Sequence, residues 1–598
     1  MKRLLAQLIV AKGRMRCMAL GAALPGLIGA LPVQAVPVDT LAQTPIPTHP
    51  DRPSSQPLPA IPPVSPVEMP PEVIPEVKPE VTPEVAPGLP PEIAPAPAPI
   101  PTPAPIPDAT PVQIFVQRIE VIGSTVFSED DFAPIIQPVY GKSLTLEELR
   151  QVADQITQLY LNQGYLTSRA ILVDQDVQNG VVQIRIIEGS LEAIEIEGTR
   201  RVNPRYIRSR VQLGGRTPLN QKDLEDQLRL LRIDPLFDNV EASLRAGSGL
   251  GQSILSVRVT EAQDWILDLS ADNFSPPDVG SERFGAVVGQ RNLTGNGDSL
   301  TAAYFRSTTG GSDVFEFAYA IPLNPLQGTL FLRYSPSNFR ITNPEFAVLD
   351  IEGNANLYEV SFRQPLIRSP REEFALSAGF THRNGQTFLS NLLTDDSTTS
   401  VFTFGQDYIL RDSQGAWAAR SSFNFGTELF NATTDATPDG LFFSWLGQFQ
   451  RVQILNGSNL LIAQLDVQLT PDPLLPTQQF AIGGGQSVRG FRQNARLGDN
   501  GIRFSVEDRI TVARDEAGET VLQLAPFVDA GLVWNDGRNP DRTPNQNFLA
   551  GVGLGVLWQP LPDVDVRLDG AIPLVNLDDR GENAQDYGFY FSVNYRLQ

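Results

Sequence analysis

The last twelve residues, Tyr587-Gly588-Phe589-Tyr590-Phe591-Ser592-Val593-Asn594-Tyr595-Arg596-Leu597-Gln598, decide the fold. In an extended chain, Tyr587, Phe589, Phe591, Val593, Tyr595 and Leu597 share one face, and Gly588, Ser592, Asn594 and Arg596 share the other. A segment of this length, apolar on one side and polar on the other, suits a strand with lipid on one face and a wet lumen on the other. Upstream segments read alike. Phe315, Phe317, Tyr319 and Ile321 alternate with Glu316 and Ala318, and Tyr358, Val360 and Phe362 with Glu359, Ser361 and Arg363. Leu461, Ala463, Leu465 and Val467 alternate with Gln464, Asp466 and Gln468.

From Asp264 to the end, helical periodicity is absent and sixteen such segments follow one another. They start near Trp265, Arg283, Leu300, Asp313, Thr329, Asn356, Phe374 and Val401, then Trp417, Phe442, Asn459, Gly501, Thr520, Phe548, Asp563 and Tyr587. An even count suits a closed antiparallel transmembrane β-barrel with both ends on one side of the membrane. Short turns such as Pro322 to Gly328 and Arg514 to Gly518 alternate with long polar loops such as Ser335 to Gly353. A soluble sandwich or adhesin would bury the aromatic face and would not alternate short loops with long ones.

Before the barrel the pattern is different and occurs twice. Residues 112–189 open with a strand, Phe115 to Val121, and a short helix capped by Ser128 and Asp131. The capping box Thr145-Leu146-Glu147-Glu148 starts a second helix. Its apolar face carries Leu146, Leu149, Val152, Ala153, Ile156, Leu159 and Tyr160, and Gly164 stops it. Strands Ala170 to Val177 and Val181 to Ile187 follow, joined by Asn179-Gly180, a type I′ dipeptide. Residues 190–262 repeat the order, with strands at Leu191 to Ile196, Val240 to Arg245 and Ser253 to Val259, and helices around Pro204–Arg210 and Asn220–Leu231. The expected fold is therefore two small α+β units followed by a 16-stranded barrel over 263–598.

The N-terminal part reads as export signal and spacer. Lys2, Arg3, Lys12, Arg14 and Arg16 precede an apolar run from Met18 to Leu31, and Val33-Gln34-Ala35 suits signal-peptidase cleavage, giving a signal peptide over 1–35. Residues 36–111 contain 26 of the chain's 51 prolines, including four Pro-Glu-Val repeats from Pro71 to Ala86. Proline fixes φ and lacks a donor, so this linker forms neither helix nor ladder. It shows no amphipathic helix. The single cysteine, Cys17, lies in the leader.

The formal charge is -22 and becomes -27 once the leader is removed, a poor balance for contacting nucleic acid. The two histidines, His49 and His382, and the missing Cys/His spacing argue against a metal site or catalytic triad. No enzyme and no cofactor are expected. Gly483-Gly484-Gly485 lacks the spacing and the Lys-Ser/Thr of a phosphate loop, so no nucleotide is expected either.

The same glycines open Gly483-Gly484-Gly485-Gln486-Ser487-Val488-Arg489-Gly490-Phe491-Arg492, within the loop 471–500 between the eleventh and twelfth segments. Val488-Arg489-Gly490-Phe491 resembles the VRGY/F motif of the BamA-type POTRA–barrel superfamily. Pro526-Phe527-Val528-Asp529-Ala530-Gly531 resembles that superfamily's F-x-D-x-G strand. The repeated β-α-α-β-β units, with Asn162-Gln163-Gly164-Tyr165 and Ile187-Glu188-Gly189, resemble POTRA domains, POTRA 1 at 112–189 and POTRA 2 at 190–262. Two such units with sixteen strands resemble the two-partner-secretion transporters (TpsB, the ShlB-like haemolysin secretion/activation type). The resemblance spans residues 112–598.

It implies a Gram-negative-type outer membrane, POTRA domains and linker in the periplasm, and export of an unfolded, β-helical exoprotein without ATP. It also implies that loop 471–500 is re-entrant and that its arginine meets an acid on the lumenal face. Alternation along the strand independently points Phe527, Asp529 and Gly531 inward, with Arg503, Ser505, Glu507 and Arg509 one strand earlier. An Arg489 guanidinium opposite Asp529, with Glu507 near, would form a bidentate pair. The rival readings are an insertase for outer-membrane proteins, which usually has more POTRA units, and a passive porin, which needs neither the units nor the loop. Members of the family often carry an N-terminal plug helix, for which residues 36–111 offer no candidate.

Overall fold

The computed structural model describes residues 113–435, 437–541 and 546–597. The signal peptide, the proline-rich linker and the question of a plug helix lie outside these residues.

The first unit comprises β1 (Gln113–Val116), β2 (Arg118–Ile122), α1 (Glu129–Ile136), β3 (Lys142–Thr145), α2 (Leu146–Asn162), β4 (Arg169–Leu172) and β5 (Val181–Ile187). Its sheet runs β2-β5-β4, with β2 parallel and β4 antiparallel to β5. The capping box at α2 is formed, because Thr145 Oγ1 accepts from the Glu148 amide and the Thr145 amide donates to Glu148. Leu149, Val152, Ala153, Ile156 and Tyr160 of α2 are buried against the sheet, whereas Leu146 is exposed in the first turn. Thr145→Ala should destabilise this unit by about 1 kcal/mol, a typical N-cap loss, read as earlier unfolding of the periplasmic domain in denaturant.

Two strands differ from expectation. Phe115 to Val121 is two strands rather than one. The amides of Gln117 and Arg118 both donate to the Gly180 carbonyl, so the ladder changes partner there, β1 pairing with β3 and β2 with β5. Ala170 to Val177 ends its pairing at Leu172, and the Gln175 side-chain amide then bonds both backbone groups of Gln183 in place of a ladder. Asn179 and Gly180 both have positive φ, as a type I′ turn requires.

The second unit has the same topology: β6 (Ser190–Glu197), α3 (Pro204–Val211), α4 (Gln221–Arg232), β7 (Phe237–Ala246) and β8 (Gln252–Glu261), in sheet order β6-β8-β7. It is fastened to the barrel. The buried Tyr206 hydroxyl donates to Asp234 and accepts from Gln327, which in turn accepts from Arg210. The Asn203 amide donates to the Gly295 carbonyl, and a Cβ on Gly297 would lie 2.3 Å from the Tyr206 ring. Two barrel turns, around Gly295 and Gln327, therefore form the seat of this unit.

The barrel strands are β9 (Trp265–Asp272), β10 (Arg283–Arg291), β11 (Ser299–Ser307), β12 (Ser312–Pro322), β13 (Thr329–Arg340) and β14 (Ile351–Arg368). They continue as β15 (Glu372–Leu389), β16 (Leu392–Asp412), β17 (Gly415–Thr427), β18 (Phe443–Asn456) and β19 (Asn459–Leu469). A short hairpin, β20 (Phe480–Ile482) with β21 (Arg496–Gly498), interrupts them. The last five are β22 (Asn500–Arg514), β23 (Thr520–Trp534), β24 (Phe548–Leu561), β25 (Val564–Pro573) and β26 (Phe589–Leu597). Sixteen strands close into an antiparallel barrel, with β26 pairing β9. Closure satisfies every strand edge, as a lipid surround demands.

All sixteen segments read from the sequence are barrel strands, but some bounds move. β14, β15 and β16 run 18, 18 and 21 residues, and nearly half of the expected loop Ser335 to Gly353 is ladder, with Arg340 pairing Glu352. Apolar alternation stops where lipid stops, whereas hydrogen-bonded pairing continues into water. Tyr587 lies before the last strand, which begins at Phe589. The inner wall carries matched charges, among them Arg333 with Glu359 at 2.6 Å and Asp407 between Arg363 and Arg420 at 3.0 and 2.5 Å.

Candidate functional site: the re-entrant loop and its lumenal carboxylates

Residues between β19 and β22 fold back into the lumen. The β20–β21 hairpin carries the tip, and Phe480, Ile482, Val488 and Phe491 pack in one buried cluster with Val533 and Leu549 of the wall. The lumen beside the loop is thus packed by side chains, not wet. Three glycines of the loop, Gly483, Gly484 and Gly490, have φ near +106°, a backbone shape that other residues rarely adopt.

Arg489 stands at the centre of this packing. Its Nε donates to Asp529 at 2.7 Å and its Nη2 to the other Asp529 oxygen at 3.0 Å, a bidentate fork. Its Nη1 donates to Glu507 at 2.7 Å. Its own backbone amide adds a third bond to Asp529, at 3.1 Å. The guanidinium carbon lies 3.2 Å from the centre of the Phe527 ring, so the cation is stacked as well as paired. Gly531 supplies clearance, since a Cβ there would meet Val488 and Ile482 at 3.1 Å. All eight residues singled out in the sequence, Val488, Arg489, Gly490, Phe491, Asp529, Glu507, Phe527 and Gly531, meet in one place.

Around Glu507 the structure brings in Arg509, which alternation points inward, and adds Arg567 and Asp569. Arg567 of β25 donates to Glu507 at 2.7 Å and to Asp569 at 2.8 Å, and Arg509 bonds Glu507 at 2.9 Å. Three arginines thus face three carboxylates, and a balanced, hydrogen-bonded cluster is how buried charge is tolerated. The alternation Asp565-Val566-Arg567-Leu568-Asp569 carried this signal.

Tyr590 of β26 accepts from the Gly490 amide at 2.9 Å and donates to the Phe491 carbonyl at 2.6 Å. An aromatic residue on the polar side of the last strand was its signal. The segment after β25 grips the loop from the other side, through Asp586 on Arg492, Gln585 on the Gln493 amide and Asp579 on Arg496. Nothing in local sequence marks those partners. Tyr590→Phe should leave two buried backbone groups unpaired, weakening the docked loop by about 1–3 kcal/mol. In single-channel recordings this should appear as more frequent openings, with a smaller effect than loss of Arg489.

A closed barrel behind two periplasmic α+β units, with a basic loop tip locked to lumenal acids, defines an outer-membrane protein of the POTRA–barrel class. The model of the haemolysin secretion/activation protein family ShlB/FhaC/HecB matches residues 251–557, and that of the ShlB-type POTRA domain matches residues 114–189. The chain belongs to the ShlB/FhaC/HecB family.

Among curated relatives, the outer membrane transporter CdiB of Escherichia coli O6:K15:H31 is 27% identical over 404 residues, covering 64% of this chain and 67% of that protein. The heme/hemopexin transporter protein HuxB of Haemophilus influenzae is 22% identical over 489 residues, covering 78% and 83%. The structure of CdiB from Escherichia coli superposes with a TM-score of 0.66 at 22% identity, covering 83% of this chain and 93% of that one. BamA from Haemophilus ducreyi lacking POTRA domains 1-3 superposes at 0.50 with 16% identity, covering 81% and 100%. The chain is an outer-membrane two-partner-secretion transporter with its POTRA domains in the periplasm.

Proposed function

We propose that the chain captures one secreted partner protein, unfolded and destined to form a β-helix, and passes it through the barrel without nucleotide. The observation that carries this reading is the locked loop. The Arg489 cluster holds a packed plug of chain inside the lumen, so a passing polypeptide has to displace it. Capture falls to the sheet edges of the two units. Among the described residues, strand β7 pairs only with β8, and residues 241–246 are exposed along it, leaving a ladder edge open to an extended segment. Val488, Arg489, Gly490 and Phe491 act as the latch, and Asp529, Glu507, Phe527 and Gly531 as its keeper. No catalytic step is assigned to any residue.

The presence of two POTRA-type units favours a dedicated secretion pore over a general insertase. The test is to co-express the neighbouring reading frame with and without this chain. Appearance of a large secreted product only with the chain is the expected result. Secretion unaffected by deleting the chain would overturn the proposal.

A further inference from the structure

The helix that seats the second unit lies in a one-sided stretch of charge. Residues 199–216 hold six arginines and no acid, in a chain whose formal charge is -22. Two of the six are used at the seat, Arg201 by Asp264 and Arg210 by Gln327. The other four, Arg200, Arg205, Arg208 and Arg216, are exposed. Among the described residues, none of their guanidinium groups is paired with a carboxylate.

These four form a row along the outer edge of β6. Arg205 and Arg208 are one turn apart on the exposed face of α3. Arg208 Nε donates to the Ile194 carbonyl at 3.2 Å, midway along β6. Arg216 follows Gly215, whose Cβ would lie 2.7 Å from Leu191 near the start of that strand. Arg200 stands just past the other end, after Glu197. Leu191 to Glu197 spans about 20 Å of strand. The acids of β6 leave the row unneutralised, because each has a partner of its own. Glu192 accepts from Ser248, Glu195 from Arg245 and Glu197 from Arg258. Like charges at helical spacing repel until a counter-charge approaches.

The counter-charge is present in the same chain. Residues 36–111 carry nine acids against two bases. Five of the acids, Glu68, Glu72, Glu76, Glu80 and Glu84, recur at every fourth position, with Lys78 the one base among them. At ~3.1 Å per residue for a proline-rich chain, successive glutamates stand about 12 Å apart, so the row meets two or three of them. The residues between Glu84 and Gln113 give ~90 Å of reach, against ~30 Å for the width of a unit this size.

We propose that the glutamate repeat, residues 68–84, docks on this arginine row and ties the linker to the second unit. One exposed pair contributes only ~0.2–1 kcal/mol. Here several pairs act together, and the tether makes the contact intramolecular, at an effective concentration of order millimolar. Proline cannot donate to a ladder, so the repeat meets the β6 edge through its carboxylates and not as an added strand. Arg210 of the same helix bonds the barrel turn at Gln327, so docking holds the linker beside the periplasmic mouth. The proposal is independent of what the lumen exports.

The test places two spin labels in the full chain. In a Cys17→Ser background, which removes the single cysteine, Ile74→Cys and Gln212→Cys are labelled and their separation is measured in detergent by double electron–electron resonance. A distinct short-distance population is expected at low ionic strength. It should shrink in 1 M salt, where the Debye length is ~3 Å. Arg205→Glu with Arg208→Glu should lower the docking constant about tenfold. Adding Glu72→Arg and Glu76→Arg to that variant should restore it, which a misfolded unit could not do, and heat-modifiable migration reports a folded barrel throughout. The rival ligand of the row is anionic lipid. Loss of the short-distance population in dioleoylphosphatidylglycerol nanodiscs, with retention in dioleoylphosphatidylcholine, would assign the row to lipid and overturn the proposal. So would a wild type without that population, one indifferent to salt or to charge reversal, or a charge swap that fails to restore it. Loss of export alone would bear only on the secretion reading.

Discussion

Arg489→Ala should abolish export of the secreted partner while the barrel still inserts and still shows heat-modifiable migration. The side chain makes three of the bonds that hold the loop tip, two to Asp529 and one to Glu507. Removing it leaves three buried carboxylates to be neutralised by Arg567 and Arg509 alone. Breaking one side of a buried ion pair costs about 3–5 kcal/mol, which shifts the balance between docked and undocked loop by two to three orders of magnitude or more. The strand ladders do not pass through Arg489, so barrel closure is independent of it. Conductance separates this from a porin. Wild type should be mostly closed in planar bilayers, whereas the variant should open for long periods. Wild-type export together with unchanged conductance would remove the latch from the mechanism.

Gly551→Ala should produce the same phenotype without touching a charge. Gly551 of β24 is the cross-strand neighbour of Asp529, and a Cβ there would lie 2.0 Å from the Arg489 carbonyl oxygen. No rotamer relieves that contact, because both atoms belong to or adjoin the backbone. The loop has to retreat by about 1 Å to restore ordinary separation, and the 2.7 Å fork to Asp529 does not survive such a shift. Open-channel time should therefore rise toward the Arg489→Ala level. A silent Gly551→Ala channel would show that the loop does not rest against β24 in the membrane.

Much of this site was legible because barrel strands alternate strictly. Once Val528 and Ala530 were set against lipid, Asp529 had to face the lumen, and Glu507 followed one strand earlier by the same parity. Arg489 was legible only through resemblance, since no periodicity governs a loop. Asp586, Gln585 and Asp579 were not legible. They grip Arg492, the Gln493 amide and Arg496 across more than eighty positions, and no local pattern encodes such pairing. The break at Gln117 was missed for a related reason. Its cause is a carbonyl at Gly180 that lies far along the chain and takes two amides at once.

By itself the amino-acid order determined the number of strands, which side of each meets lipid, and the two-unit preface, because period-two and period-3.6 patterns are local properties of a chain. Only the tertiary structure decided how far the strands run beyond the membrane, which turns seat the second unit, and which wall residues hold the loop. Those depend on barrel closure, which brings β26 beside β9 and sets the inner wall around a hairpin that is remote from it in sequence. A chain's pattern states its preferences for water or lipid, while partners across a lumen are chosen by geometry.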